Sequence, residues 1–275
     1  MAKSTMSQST RHHHTPEFYL KQFAELMFGD SLRVFEQKTG RWDPNRRTPK
    51  GIGWSRFLYS SYNLAGERVD DFERFLSEYV DTPCAEPMKK AAANPENLTE
   101  EERVLIALFV GFAAARTRNL IEAVEQKRLE SDPTDEELLK LWCDAIKKPL
   151  TSDTDRQLLR STLFRAVVVC AVTWQQRILP WKWHFMRASR ENPFITTDWP
   201  AAGTFDNGHY LLTFPISSEV ALLTSSHPEV GIPNRGIQDI RGINARTLWR
   251  STRFVVCHKD SFPGDEALPG WAKAR

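Results

Sequence analysis

The order of hydrophobic and polar residues changes along the chain from a helical spacing to a strand-like alternation. Near the N-terminus Pro16 suits the first turn of a short helix, and apolar residues follow at spacings that place them on one side of it: Phe18, Tyr19, Phe23 and Leu26. The alternation in LRVFEQ at 32–37 predicts a half-buried strand. Residues 1–11 are polar with nothing to pack, and we expect them to form a disordered tail.

Apolar spacing predicts a helix at about 67–80. Pro83 and Pro87 follow it, and because proline breaks the hydrogen bonding of a helix interior, we expect them to end this helix. The segment 83–97 is then a linker inside the domain.

Two further long helices are predicted from their start signals. Thr99 and Glu102 have the spacing of a capping box, which predicts a helix from about 100 to 130. A Ser-x-x-Asp signal at 152–155 predicts another at about 153–178, although the β-branched run at 167–172 leaves a strand open there. The apolar run at 104–115 has 12 residues, where a membrane span needs about 20, and we interpret it as a buried helix.

After Pro180 short β-rich segments alternate with turn residues. Asp206-Asn207-Gly208 predicts a hairpin turn, because Asn and Gly tolerate the positive φ angles of a type I′ turn. A helix at about 236–250 and a final strand, RFVVCH, complete the pattern. We therefore predict an α+β fold with long helices in the first two thirds, packed on a small antiparallel or mixed sheet formed mainly by the last third, in a single domain over 12–275.

Charge and cysteine content restrict the classes of function. The formal net charge of +2 argues against a protein that binds nucleic acid mainly by neutralising phosphates, while a local basic face stays compatible with it. The four cysteines form no C-x-x-C pair, which favours reduced thiols over a zinc or redox site. With no signal-like segment at the N-terminus, we expect a cytoplasmic protein without a membrane partner.

Several polar positions are candidates for chemistry. The run His12-His13-His14 offers imidazoles for proton transfer or metal binding, but such a run beside a tail is also compatible with simple solvation. Arg116 ends an apolar helix, where a guanidinium needs either a salt bridge or an anionic ligand. Asp198 ends a strand before a proline, a place for a functional carboxylate or for an Asx turn.

A basic bias in the C-terminal region leaves nucleic-acid binding open, although nearby acidic residues dilute it and favour a solvated helix face. The arginines concerned are Arg235, Arg241, Arg246, Arg250 and Arg253. The chain has no G-x-G-x-x-G, P-loop, H-E-x-x-H or G-x-S-x-G motif, which counts against the common nucleotide-binding, zinc-protease and hydrolase classes.

Motifs along nearly the whole chain resemble those of the family called domain of unknown function 4238, which is mainly bacterial. The opening H-x-x-P-x-x-Y-L-x-x-F is matched by His13, Pro16, Tyr19, Leu20 and Phe23. A helix that ends in arginine is matched by Arg116, with Ala113 where the family has glutamine. The motif F-I-T-S-D-x-P is matched at 194–200, with Thr197 in place of serine. An I-N motif is matched by Ile243 and Asn244. The resemblance implies one fold carrying polar positions at His13, Arg116, Asp198 and Asn244.

These residues suggest two functions. The first is an intracellular hydrolase acting on an anionic substrate such as a nucleotide or phosphodiester, with His13 and Asp198 as acid/base groups or metal ligands and Arg116 as the anion clamp. Tyr19, Thr197 and Asn244 would bind the substrate, and a divalent metal stays open as a cofactor. The alternative is a non-catalytic binding or interaction module, including a nucleic-acid binder. The oligomeric state stays open.

Overall fold

A computed structural model of the chain describes residues 10–24, 30–62, 68–117, 121, 162–206, 209–227, 237–259 and 262–265. The described N-terminal residues form short strands and the short helix α1. In chain order the elements are β1 (Arg11–His13), α1 (Glu17–Lys21), β2 (Arg33–Glu36), β3 (Arg41–Trp42), a 3-10 turn (Pro49–Gly51), β4 (Trp54–Arg56), β5 (Ser61–Tyr62) and β6 (Arg68–Val69). The predicted short helix after Pro16 and the predicted strand at 32–37 are confirmed.

The middle of the chain is helical. Its elements are α2 (Asp71–Leu76), a π-helical turn (Ser77–Asp81), α3 (Thr82–Ala93), a 3-10 turn (Pro95–Asn97), α4 (Glu100–Ala115) and α5 (Thr162–Ile178). Helices α4 and α5 cross at Gly111, where a Cβ atom would lie 2.2 Å from the backbone oxygen of Ala171. Glycine is therefore required at this crossing, because any side chain would push the two helices apart.

The last part of the chain carries most of the sheet structure. It contains β7 (Lys182–Arg187), β8 (Thr196–Thr197), β9 (Ala202–Asp206), β10 (His209–Pro215), β11 (Val220–Ser225), α6 (Ile237–Arg250) and β12 (Phe254–Cys257). Two four-stranded sheets have the orders β7-β11-β10-β9 and β3-β2-β12-β8, and β1-β4 and β5-β6 form two-stranded ribbons. Every described pair is antiparallel.

A common core holds these layers together. Phe109 and Phe112 of α4, Phe164 of α5 and Phe214 of β10 are all fully buried in it. Among the described helices, none is long and apolar enough to cross a membrane.

The predicted arrangement of long helices through the first two thirds of the chain is wrong. The described long helices are confined to 71–115 and 162–178, whereas the described part of the first 70 residues contributes six short strands. Strand β2 pairs with β12, so one four-stranded sheet joins the two ends of the chain. Local periodicity identifies a strand but carries no information on a partner more than 200 residues away.

The predicted helix end before Pro83 and the linker at 83–97 are also wrong. Helix α2 continues through the π-helical turn into α3, with Pro83 in the first turn of α3 and Pro87 inside it. The backbone is helical on both sides of Pro83, so neither proline ends the helix.

Several other local predictions are confirmed. The Thr99 capping box is formed from both sides, and α4 starts after it as predicted. Helix α4 ends at Ala115 and residues 116–117 are not helical, so the predicted uninterrupted helix to about 130 is wrong, and residues 118–120 and 122–130 lie outside the described part. Residues 162–178 are helical, which excludes the strand alternative. The predicted hairpin joins β9 and β10 through the pair Asp206 and His209, and its two central residues lie outside the described part.

Candidate functional site

The first of the three adjacent histidines is a structural residue. His12 is fully buried, and its Nδ1 accepts a hydrogen bond of 2.9 Å from the backbone N–H of Tyr59. Its Nε2 therefore carries the proton and lies 3.3 Å from Oδ1 of Asp70. With both ring nitrogens engaged, His12 fixes β1 against the segment that follows β4.

His13 is only partly buried, and its ring has a different environment. Its backbone N–H donates to Oε1 of Glu73 at 3.2 Å, whereas its Nε2 is buried with no hydrogen-bond partner among the described residues. Burial lowers the pKa of His13 from its ordinary value near 6.5; Glu17 opposes this shift, and the positive charge of Arg116 adds to it. The ring is therefore mainly neutral at pH 7, the form that accepts a proton.

The pKa of Glu73, in α2, is shifted in the opposite direction from that of His13. Burial raises its pKa to about 7, although the hydrogen bond from the His13 backbone works against this change. Its Oε2 is buried and has no partner within the described part of the chain. Near pH 7 a substantial fraction of the Glu73 carboxyl groups therefore carries a proton that can be donated.

Arg116 caps the C-terminal end of α4 and is completely buried. Its Nη1 donates to Oδ1 of Asp81 at 2.7 Å, and its guanidinium lies 5.3 Å from the ring centroid of Phe109. Its Nε and Nη2 find no partner among the residues that the structure describes. A buried guanidinium with unmatched N–H donors is suited to an anion, because a planar fork of donors matches phosphate or carboxylate oxygens.

Asp81 lies in the π-helical turn, and such turns are frequent at functional sites. Burial raises the pKa of its carboxyl group, while the neighbouring Arg116 acts in the opposite direction. We call His13, Glu73, Asp81 and Arg116 the acid–base cluster. Arg116 is electrostatically coupled to each of the other three, which shows that four separate elements of the chain converge here.

Cys84, close to this cluster, is not suited to act as a nucleophile. Its thiol lies 3.2 Å from the backbone oxygen of Leu105, to which it donates, and burial strongly raises its pKa. The thiolate, which is the reactive form, is therefore disfavoured.

Asp198 is hydrogen-bonded within its own chain, and its predicted role as a base or metal ligand stays a prediction. Its Oδ1 accepts hydrogen bonds from the backbone N–H groups of Thr252, Arg253 and Phe254 and from the hydroxyl of Ser251. The hydroxyl of Thr252 donates to Oδ2. The carboxylate thus anchors the chain at the start of β12. The residues that bond to the His13 backbone amide or shift the pKa of its ring are Arg11, His12, Glu17, Glu73 and Arg116, and Asp198 is not among them.

The three residues predicted to bind substrate are buried and hydrogen-bonded to their own chain. The Tyr19 hydroxyl donates to the backbone oxygen of Pro215 and lies 2.7 Å from the hydroxyl of Thr196. The Thr197 hydroxyl accepts from the backbone N–H of Trp199. Asn244 accepts from the N–H of Ile195 and donates to the oxygens of Pro193 and Pro263. Their predicted role in substrate binding stays a prediction.

Two acidic members of the cluster were absent from the sequence prediction. Glu73 and Asp81 lie in a segment whose apolar spacing indicates only an amphipathic helix. The sequence signal for these two residues is a carboxylate next to an apolar residue, as in Phe72-Glu73 and Val80-Asp81. This signal is weak, because carboxylates in such positions usually reach solvent. Among the described residues, no three His, Cys, Asp or Glu side chains are grouped as metal ligands.

A family model described as "Protein of unknown function (DUF4238)" matches residues 11–261, which is most of the chain. No curated protein and no solved structure matches the chain. The resemblance indicated by the motifs is therefore confirmed, and the matched range includes the whole acid–base cluster.

Proposed function

The chain belongs to the DUF4238 family, whose function is unknown, and we propose from the site itself that the protein hydrolyses a phosphodiester in an anionic substrate. The observation that carries this proposal is that three electrostatically coupled side chains hold buried polar atoms with no hydrogen-bond partner among the described residues. These atoms are Nε2 of His13, Oε2 of Glu73, and Nε and Nη2 of Arg116. They supply an acceptor, a proton donor and an anion clamp.

The opposite pKa shifts of His13 and Glu73 support separate roles for them. Two titratable groups whose environments move their pKa values apart are typical of acid–base pairs in enzymes. Neutral His13 accepts the proton of a water molecule, and the oxygen of that water attacks phosphorus. The phosphorus–oxygen ester bond breaks, and protonated Glu73 gives its proton to the leaving oxygen.

Arg116 stabilises the negative charge on the phosphoryl oxygens during this step, while Asp81 holds its guanidinium in place. One water is consumed, and the products are a phosphate monoester and an alcohol. Asp198 has no part in this reaction, because its hydrogen bonds engage it with residues 251–254.

The free thiols of Cys84, Cys170 and Cys257 support the cytoplasm as the compartment, because the cytosol keeps thiols reduced. This placement belongs to the proposal.

Two substrates with different leaving groups test these roles. We expect the wild-type protein to hydrolyse bis(p-nitrophenyl) phosphate, whose leaving group needs no proton, and a dinucleoside monophosphate, whose leaving alkoxide does. Replacing His13 by Gln lowers both rates by about 100-fold or more. Replacing Glu73 by Gln lowers the dinucleotide rate by a similar factor and the p-nitrophenyl rate far less.

The pH dependence provides a second test of the same roles. We expect the wild-type rate to increase as His13 loses its proton, below pH 6.5, and to decrease above about pH 7 as Glu73 ionises. His184→Gln, on β7 away from the cluster, serves as the matched control and keeps the wild-type profile. Absence of turnover of both substrates by the wild-type protein, or full activity of His13→Gln, contradicts the proposal.

The saturated hydrogen bonds of Tyr19, Asp198 and Asn244 favour a second candidate, a non-catalytic binding module in which the motif residues hold the fold together. The melting temperature of His13→Gln distinguishes the two. An unchanged value agrees with a site residue, and a large decrease agrees with a structural role.

A further inference from the structure

An open groove with a volume of about 1070 Å³ lies between β2, the segment 51–58 and the start of β12. We call it the β2–β4 groove. It takes its charged side chains from Lys38, Arg56, Arg253 and Glu36, three cations and one carboxylate. The groove is therefore basic, although the chain as a whole is nearly neutral.

The guanidinium of Arg253 is held in a fixed position at the wall of this groove. Its Nη1 lies 2.8 Å from Nε2 of His14 and donates to the hydroxyl of Ser55 at 3.1 Å. Because arginine has no acceptor, His14 accepts on Nε2. The backbone N–H of Arg253 donates to Asp198. His14, next to the motif residue His13, and Asp198 thus act as positioning residues for this cation.

Three aromatic side chains line the groove: Phe254 is buried, whereas Trp54 and Phe57 each lie against an arginine. The guanidinium of Arg11 lies 4.5 Å from the ring centroid of Trp54, and that of Arg68 lies 4.2 Å from the ring centroid of Phe57. Phe57 is 40% exposed and has a φ of +55°, in the left-handed region that side-chain-bearing residues rarely adopt. An exposed ring in a strained backbone is not explained by core packing, and such strain is concentrated at ligand sites.

We propose that the β2–β4 groove binds a single strand of nucleic acid, with phosphates at Arg253, Arg56 and Lys38 and bases stacked at Trp54 and Phe57. A basic groove with interspersed aromatic rings is the typical arrangement for unpaired strands, because their bases are free to stack. In a duplex the bases are paired and stacked on one another, so they cannot stack on Trp54 and Phe57.

The groove and the acid–base cluster share the β1–β4 ribbon, in which His13 pairs directly with Trp54. Because Trp54 lines the groove, we expect a nucleic-acid strand bound there to pass near His13 and to supply the phosphodiester of the proposed reaction. This connection rests on the proposed function, whereas binding in the groove does not.

Fluorescence anisotropy with a labelled ten-residue oligothymidylate measures the binding, and the His13→Gln protein is used as well, so that binding is assayed apart from hydrolysis. We expect Arg56→Gln and Lys38→Gln each to weaken binding and to lower the slope of log affinity against log salt by about 0.7, the loss of one phosphate contact. Phe57→Asn removes the ring and keeps a residue that tolerates positive φ, and it weakens binding about ten-fold.

Arg190→Gln is the charge-matched control, because Arg190 is 79% exposed, pairs with Glu219 and lies outside the groove. It keeps the wild-type affinity to within about two-fold. The proposal is overturned if the wild-type protein binds no oligothymidylate at low salt, if a duplex of the same length binds equally well, or if Phe57→Asn behaves like Arg190→Gln. Binding without hydrolysis leaves the groove in place and removes the proposed function alone.

Discussion

Replacing Glu73 by Gln tests the electrostatics of the acid–base cluster without any substrate. The pKa of this carboxyl group rises from 4.5 to about 7 on folding, because burial disfavours the charged form. Ionised Glu73 therefore destabilises the folded state. At about 1.4 kcal/mol per pKa unit the effect is about 3 kcal/mol.

The sign of the pH dependence follows from these values. Below about pH 4.5 the group is protonated in both states, so it does not affect stability. The wild-type protein then loses stability as the pH rises from 4.5 through about 7, and the loss is complete above that. Glutamine cannot ionise, so Glu73→Gln matches the wild type at pH 4 and exceeds its stability by about 3 kcal/mol at pH 8.5, or roughly 6 °C in melting temperature.

Thermal unfolding of both proteins at pH 4, 5.5, 7 and 8.5 measures this difference. Glu86→Gln is the control, because Glu86 is 84% exposed, and we expect its difference from the wild type to stay constant with pH. Parallel curves for Glu73→Gln and the wild type across this range would refute the burial argument for Glu73, and with it the assignment of this residue as the proton donor.

Two further substitutions test the packing and the anchor of β12. Gly111→Ala places a methyl group 2.2 Å from the Ala171 oxygen and should lower the free energy of unfolding by about 1–3 kcal/mol or more. Gly242→Ala is the control. It lies in the interior of α6 with its nearest neighbour at 3.8 Å and should raise the free energy of unfolding by about 0.5–1 kcal/mol. A Gly111→Ala protein as stable as the wild type would show that α4 and α5 are not in backbone contact. Asp198→Ala leaves three backbone N–H groups without their acceptor and should destabilise the protein by about 3–5 kcal/mol, as measured by denaturant unfolding. A loss of less than about 1 kcal/mol would contradict the anchoring role of Asp198.

Local signals in the sequence were sufficient to predict much of the secondary structure. The capping box at Thr99 and the strand-like alternation at 32–37 depend on interactions within a few residues, and both are confirmed. The course of the chain through Pro83 and Pro87 was missed, because tertiary packing of a buried helical face outweighs the tendency of proline to end a helix.

The site was predictable only in part, because its geometry depends on long-range packing. His13 and Arg116 were identified from their residue types, and the structure brings them into electrostatic contact. Glu73 joins them because α2 packs against β1, 60 residues away in sequence. Asp198 resembles a catalytic carboxylate at the end of a strand, but its partners arrive from residues 251–254, which no local pattern reveals.

An anomalous difference map from crystals soaked with tungstate, a heavy analogue of phosphate, tests the central claim most directly. We expect a tungstate ion within hydrogen-bonding distance of Nε or Nη2 of Arg116, beside His13 and Glu73, with the Arg116–Asp81 ion pair retained. Tungstate bound elsewhere, with Arg116 contacting only groups of its own chain, would contradict it.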